Sequence, residues 1–232
     1  MKITWIGQSG YIIKSGTTEI IIDPYLSDVV NRVAGRARLV EAPIQPEDIT
    51  ADAVICTHNH LDHLDVDAIA KMRKEQFFIT TEEGREKLKE LNQENVQTLQ
   101  VGESVTVGHG EDKMEITAVY ANHTVEAFGA VVKAEGKTLY FSGDTLYDER
   151  LFEIKKYRPD VTFICINGRL GNMNVEEALI TAEKISAKVN VPNHYGMFAS
   201  NTENPEKFTG KKEHAMALEF DREYDLAELG VL

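Results

Sequence analysis

Residues 57 to 63 read Thr-His-Asn-His-Leu-Asp-His, so three imidazoles and a carboxylate (His58, His60, Asp62 and His63) fall within six consecutive positions. Imidazole nitrogens and carboxylate oxygens bind zinc and its transition-series neighbours at about 2.0–2.2 Å. The segment directly follows the apolar run Ala53 to Cys56. A loop leaving a buried strand can point His58 and His60 at one ion, while Asp62 and His63, at the mouth of the next helix, address a second. One segment cannot saturate two ions, so distant ligands are required. His123 follows Val119-Tyr120-Ala121-Asn122, Asp144 lies in Phe141-Ser142-Gly143-Asp144-Thr145, and His194 follows the run Lys188 to Val191. Each stands at the end of an expected strand, and strand ends along one rim of a sheet sandwich are where such ligands can meet. His109, in a Gly-rich turn, and His214, in a Lys-Lys-Glu-His stretch, are expected to be solvated.

The elements that must carry these residues alternate along the chain. Ile3–Gly7, Tyr11–Lys14 and Glu19–Asp23 are short β-branched runs separated by turn residues. Leu26 to Asp48 lacks periodicity and reads as a long loop. Strands at 53–56 and 77–80 alternate with helices at 66–74 and from the Thr80-Thr81-Glu82-Glu83 capping pattern to Leu91. A second strand-rich block follows from Val105, with a hairpin turn at Glu135-Gly136-Lys137, a helix at 148–157, a strand at 161–166 and a helix opened by Asn174-Val175-Glu176-Glu177. Two halves, each with strands first and helices after, predict an α/β chain: two sheets face to face with helices outside, a four-layer αββα sandwich in one domain spanning residues 1–232.

Composition bounds the partners. With 25 Lys and Arg against 38 Asp and Glu, the formal net charge is −13, which repels phosphate backbones and argues against nucleic acid. No apolar run reaches the ~18 residues that span a bilayer, and Met1-Lys2-Ile3-Thr4-Trp5 runs straight into a strand pattern, so neither a membrane nor an export signal is expected. Cys56 and Cys165 end apolar runs and read as reduced core residues, in keeping with a cytoplasmic location. The expected partner is a small molecule, and a homo-oligomer is compatible with the sequence.

The chain resembles the metallo-β-lactamase superfamily, marked by His-x-His-x-Asp-His followed by a later His, a bridging Asp and a final His. Within it the chain is similar to the branch containing L-ascorbate 6-phosphate lactonase, through Asp23-Pro24-Tyr25-Leu26-Ser27-Asp28, Tyr140 to Thr145, Asn167 to Met173 and Pro192-Asn193-His194-Tyr195. The resemblance implies that His58, His60 and His123 hold one divalent ion and Asp62, His63 and His194 a second, with Asp144 bridging. The two ions, zinc or manganese, would share a water whose pKa falls toward ~7, and the hydroxide would attack a carbonyl or phosphoryl centre. Asp62 and Asp144 would also act catalytically by orienting that nucleophile and accepting its proton. For the lactonase branch this opens the lactone of a small phosphorylated, sugar-like substrate. A phosphodiesterase acting on a small phosphodiester is the alternative reading.

Further residues suit an anionic substrate. Asn167, Arg169 and Asn172 form a Gly-broken loop of amides and one guanidinium after a strand, and Tyr195 is placed to protonate a leaving alkoxide. Between Ser27 and Val40 three arginines, Arg32, Arg36 and Arg38, face the single acid Asp28. That stretch is expected to act as a lid whose Arg36 and Arg38 grip phosphate through the guanidinium fork.

Overall fold

The computed structural model describes residues 1–231. Its first sheet comprises β1 (Lys2–Gly7), β2 (Gly10–Ser15), β3 (Thr18–Ile22), β4 (Ala53–Ile55), β5 (Phe78–Thr80) and β6 (Val96–Thr98), and the second β7 (Ser104–Val107), β8 (Met114–Tyr120), β9 (Phe128–Ala134), β10 (Lys137–Phe141), β11 (Val161–Cys165) and β12 (Val189–Asn193). The chain then returns, and β13 (Glu223–Asp225) pairs with β1 at the edge of the first sheet. The helices are α1 (Val29–Ala34), α2 (Val66–Ile69), α3 (Glu82–Glu90), α4 (Val175–Ile185) and α5 (Glu206–Thr209).

The two sheets repeat one plan. β1, β2 and β3 pair antiparallel before β3 to β6 continue in parallel, and β7 to β10 pair antiparallel before β10 to β12 continue in parallel. Parallel strands need crossovers, and these put helices on the outer faces. The side-chain period of two then sorts each strand. Ile20, Ile22, Ala53 and Ile55 meet Ala130, Val132, Leu139 and Phe141 in the core between the sheets. Ile21 and Val54 point the other way, into a second cluster with Leu64, Ala68, Ile69 and Leu88 beneath the α2 and α3 segments. On the far side Val131 and Tyr140 pack on Ile154 and on Ile185 of α4. Mixed sheets covered on both faces give the expected αββα sandwich, and no helix among the described residues is long and apolar enough to cross a membrane.

Several local expectations hold to the residue. Asn174 and Glu177 form a reciprocal capping box on α4, and Glu135 and Gly136, at φ 50° and 71°, make the two-residue turn between β9 and β10, where positive φ at both positions matches the strand twist. Others shift. The stretch 26–48 contains α1 and a 3₁₀ turn at Pro46–Asp48 rather than only loop. The helix expected over 66–74 stops at Ile69, and Glu149–Tyr157 is a 3₁₀ segment.

Candidate metal centre

Each of the seven expected ligands leaves the carboxyl end of a strand at the same rim. β4 leads into His58, His60, Asp62 and His63; β8 leads to His123, β10 to Asp144 and β12 to His194. The first sheet therefore supplies four and the second three. Asp23, one residue past β3 and at φ 45°, anchors the motif loop. It accepts from the Thr57 backbone N–H (2.8 Å), the Thr57 hydroxyl (2.8 Å) and His63 Nδ1 (2.8 Å). Asp65 closes the other end of the loop, accepting from Ala68 N at the start of α2 and from Leu26 N and Ser27 N.

His58 and His123 have settled tautomers. His58 Nδ1 donates to the Thr57 hydroxyl (3.2 Å), whose own proton goes to Asp23, and His123 Nδ1 donates to the Gly171 carbonyl (3.1 Å). With each Nδ1 proton spent outward, Nε2 faces inward bare. His58 Nε2 and His123 Nε2 stand 3.0 and 3.1 Å from His60 Nδ1, three ring nitrogens converging on one point. A second group forms alongside. His63 Nε2 and His194 Nε2 lie 3.1 and 3.2 Å from Asp144 Oδ1, and His194 Nε2 lies 3.4 Å from Asp62 Oδ2. The other Asp144 oxygen turns to the first group, 3.9 Å from His123 Nε2.

Comparison with known proteins places this geometry. The Beta-lactamase superfamily domain matches residues 18–195, a span that includes all seven side chains. The chain belongs to the metallo-β-lactamase superfamily. A UPF0173 metal-dependent hydrolase of Archaeoglobus fulgidus is 30% identical over 90% of this chain and 89% of its own length. One of Oenococcus oeni is 28% identical over 97% of this chain and its whole length. Membership of that hydrolase family makes the chain a metal-dependent hydrolase. Among solved structures, the metallo hydrolase Igni18 of Ignicoccus hospitalis superposes with a TM-score of 0.77 at 22% identity, covering 97% of this chain and 98% of its own. The isothiocyanate hydrolase from Delia radicum gut bacteria gives 0.79 at 21%, covering 97% and 99%. Both share the fold.

The donor set of this superfamily member fits divalent transition ions. Bonds of about 2.0–2.1 Å in tetrahedral array hold donor atoms about 3.3 Å apart, close to the 3.0–3.4 Å of the nearest donor pairs, with His123–Asp144 and His63–Asp62 wider at 3.9 Å. His63 Nε2 and Asp144 Oδ1 are buried and have no hydrogen-bond partner, as groups reserved for a metal would be.

Charge is arranged to match. Burial would push the Asp144 carboxyl up, but the charges of His194 and His63 close beside it hold it well below the carboxylate range. Asp62 is lowered in the same way, burial being outweighed by His63 and His194. Burial lowers His58 well below the ordinary imidazole range, reinforced by His63. For His194, burial is outweighed by Asp144 and Asp62, which raise it to about 9. The site thus carries two firmly ionised carboxylates.

Asp62, Asp144, His60 and His194 form the floor of a cavity of about 460 Å³. Its walls are Val30, Leu61, Leu170 and Phe198, with Thr124 and Asn201 as polar members and Arg36 as the only Lys or Arg. Arg36 therefore stands where the sequence placed it. Arg38 does not, and this is a correction: its guanidinium donates to the carbonyls of Val40 (2.6 Å) and Ser27 (2.9 Å) and packs over the Tyr25 ring, bracing the segment from within. Arg32 is paired with Asp67.

The remaining expected substrate residues stand back from the cavity. Asn167 donates to Asn201 Oδ1 (2.9 Å), reaching the cavity wall through it. Asn172 is buried with neither amide atom hydrogen-bonded. Arg169 is exposed and donates to the Ser200 carbonyl. Tyr195 is tucked against Trp5, ring centroids 4.9 Å apart, outside the cavity lining, and burial pushes its hydroxyl up, so the proton-donor role expected of it does not fit. His109 and His214 are exposed, as expected. Sequence reading missed Asp23 as an anchor, Asn201, the apolar walls and Gln8, which lies beside Asp62 and His194. Asp23 carried a signal, the Asp-Pro step closing a strand.

Proposed function

We propose that this metal-dependent hydrolase opens a lactone, or a comparable carboxylic ester, of a small substrate bearing one anionic group, phosphate foremost. The observation that carries the reading is Arg36, the single cationic residue lining a cavity whose floor is the ligand cluster and whose walls are otherwise largely apolar. Elsewhere the chain is strongly acidic, so one cation at the cavity is a selective feature.

His58, His60 and His123 would hold one zinc or manganese ion and Asp62, His63 and His194 another, with Asp144 between them. When bound, the ions lower the pKa of a water toward ~7 and polarise the oxygen under attack. The chain's residues do the rest. Arg36 binds the anionic group in bidentate fashion and sets the distance from it to the scissile bond. Val30, Leu61, Leu170 and Phe198 exclude water from the reacting region, which strengthens the charge interactions within it. Asp62 and Asp144, held ionised, orient the nucleophilic water by accepting its hydrogen bonds, and their low basicity leaves them ill suited to keep its proton.

The apolar walls refine the sugar-like substrate expected from the resemblance. Hydroxyls facing Val30, Leu61, Leu170 and Phe198 would lose water without a replacement partner, so a body with few hydroxyls suits the cavity better. A small phosphodiester is the second reading, because the same floor can address phosphorus and Arg36 suits either substrate. The test is a panel of phosphorylated lactones, their dephosphorylated counterparts and model phosphodiesters, assayed with zinc- and manganese-loaded protein. Turnover of lactones with a KM advantage for the phosphorylated forms is expected. Turnover of phosphodiesters alone would establish the second reading.

A further inference from the structure

Gln8 has no role in the ligand set, yet it touches two of its members. It lies in the two-residue turn between β1 and β2, whose ends pair at Gly7 and Gly10. Its backbone is left-handed at φ 51°, a conformation uncommon for a residue with a Cβ, and its side chain is fully buried. Both features are costly. Backbone strain of this kind persists where surrounding contacts fix it.

Those contacts all lead to the rim. The Gln8 carbonyl accepts from Trp5 Nε1 (3.0 Å) and from the backbone N–H of His194 (3.3 Å), so the turn of the first sheet is pinned to the end of β12 in the second. His194 is itself left-handed, at φ 61°. The Gln8 side-chain amide donates to Asp62 Oδ2 across 2.7 Å and lies 3.0 Å from His194 Nε2. Because an ionised carboxylate only accepts, the nitrogen of this amide must be the atom facing Asp62. The other end, Oε1, is buried without a partner. A buried amide satisfied at one end only is poorer for stability than an apolar side chain of the same size. What the satisfied end does accounts for an amide at this position.

We infer that Gln8 is a positioning residue for the second ligand group: its amide binds Asp62 Oδ2, the carboxylate oxygen nearest His194 Nε2 and His63 Nε2, and so holds that oxygen in place for the ion. The parallel with His63 is direct. That ligand is oriented by Asp23, and Asp62, on the same loop, is oriented by Gln8 from the opposite side. The first group, His58, His60 and His123, makes no hydrogen bond with Gln8, so the effect is confined to one of two neighbouring ion sites.

The inference rests on the metal centre proposed above, and the experiment separates the two. Metal-free wild type, Gln8→Met and Gln8→Leu are titrated with zinc by calorimetry, with elemental analysis after dialysis and thermal unfolding of the metal-free forms. The same titration is run on Asp62→Ala and on Gln8→Met/Asp62→Ala. Wild type is expected to take up two ions per chain. The Gln8 variants should bind one ion as wild type does and the other some 10- to 100-fold more weakly, the range found when groups orienting metal ligands are removed. Their metal-free unfolding temperatures should not fall. In the Asp62→Ala background the Gln8 substitution should have no further effect, since it acts through that carboxylate. Two ions bound with wild-type affinities by both Gln8 variants would overturn the inference while leaving the metal centre standing. Equal weakening of both ions together with a lower unfolding temperature would reduce Gln8 to a structural role. Wild type binding no more than one ion would overturn the two-site centre and this inference with it.

Discussion

His63 Nδ1 donates to Asp23 Oδ2 across 2.8 Å, between side chains that are both withdrawn from solvent. The same carboxylate holds the Thr57 backbone and hydroxyl. One buried acid thus fixes the tautomer of a ligand and the path of the loop that carries four of the seven.

Removing it should act on both. Asp23→Ala is expected to weaken metal binding about 10- to 100-fold by freeing the His63 ring. It should also destabilise the fold by about 1–3 kcal/mol, because the buried Thr57 N–H loses its acceptor. Metal titration and urea unfolding check the two effects. Wild-type affinity in a folded variant would show that the contact does not orient the ligand.

Protein purified without chelator should carry close to two transition-metal ions per chain, measured by elemental analysis. Fewer than about half an ion after reconstitution would sink the two-ion centre.

His58→Ala and Asp144→Ala should each cut hydrolysis by about 10²-fold or more, since each removes several kcal/mol of metal-borne stabilisation. Circular dichroism should remain native, because the strand cores do not depend on these rim residues. Turnover near the wild-type rate in either variant would remove that residue from the ligand set.

The two arginines of the 27–40 segment should separate. Arg36→Gln is expected to raise KM for phosphorylated substrates about tenfold or more, the loss of a charge-assisted contact of roughly 1.5–3 kcal/mol, and to leave dephosphorylated analogues nearly unaffected. Arg38→Gln should instead lower the unfolding temperature, as the carbonyls of Val40 and Ser27 lose their donor, and change KM for both substrate forms alike. Parallel kinetics on the two forms decide it.

Metal uptake should depend on pH in a fixed direction. In the metal-free protein Asp144 and Asp62 raise His194 to about 9, above its ordinary value of 6.5, so the ring is protonated at neutral pH. That charge pair stabilises the metal-free fold fully below about 6.5, and the contribution is lost as pH rises through about 9. A ligand imidazole must be neutral, so binding expels the proton. Affinity should rise roughly tenfold per pH unit for each proton displaced and level off above about 9. Calorimetry in buffers of different ionisation enthalpy counts the protons released; a count of zero at pH 7 would contradict the assignment.

The ligands were legible because each is a chemically distinctive residue at the end of an apolar run, and apolar runs mark strands. Continuous apolar runs such as Ile20–Ile22 and Ala53–Cys56 likewise foretold sheets covered on both faces. What escaped reading lacked such marks. α1 is six residues long with only Val29 and Val30 buried and no side-chain cap, so neither periodicity nor capping announced it. Arg36 and Arg38 are alike in sequence and differ only in what the folded backbone offers them: for Arg38, open carbonyls two and eleven residues away. Gln8 is a single amide in a turn, and its importance comes from residues 54 and 186 positions distant.

The division of ligands between the sheets has a consequence in time. The first sheet contributes His58, His60, Asp62 and His63, and the second His123, Asp144 and His194. A chain emerging from its N-terminus presents its densest cluster of donors early, but neither group is complete on one sheet. The first group waits for Asp144 and the second for His194. Until then the early histidines can bind ions loosely, without the cavity or the bridging carboxylate. The ligand set is therefore complete only once β12 is docked and brings the last imidazole to the rim.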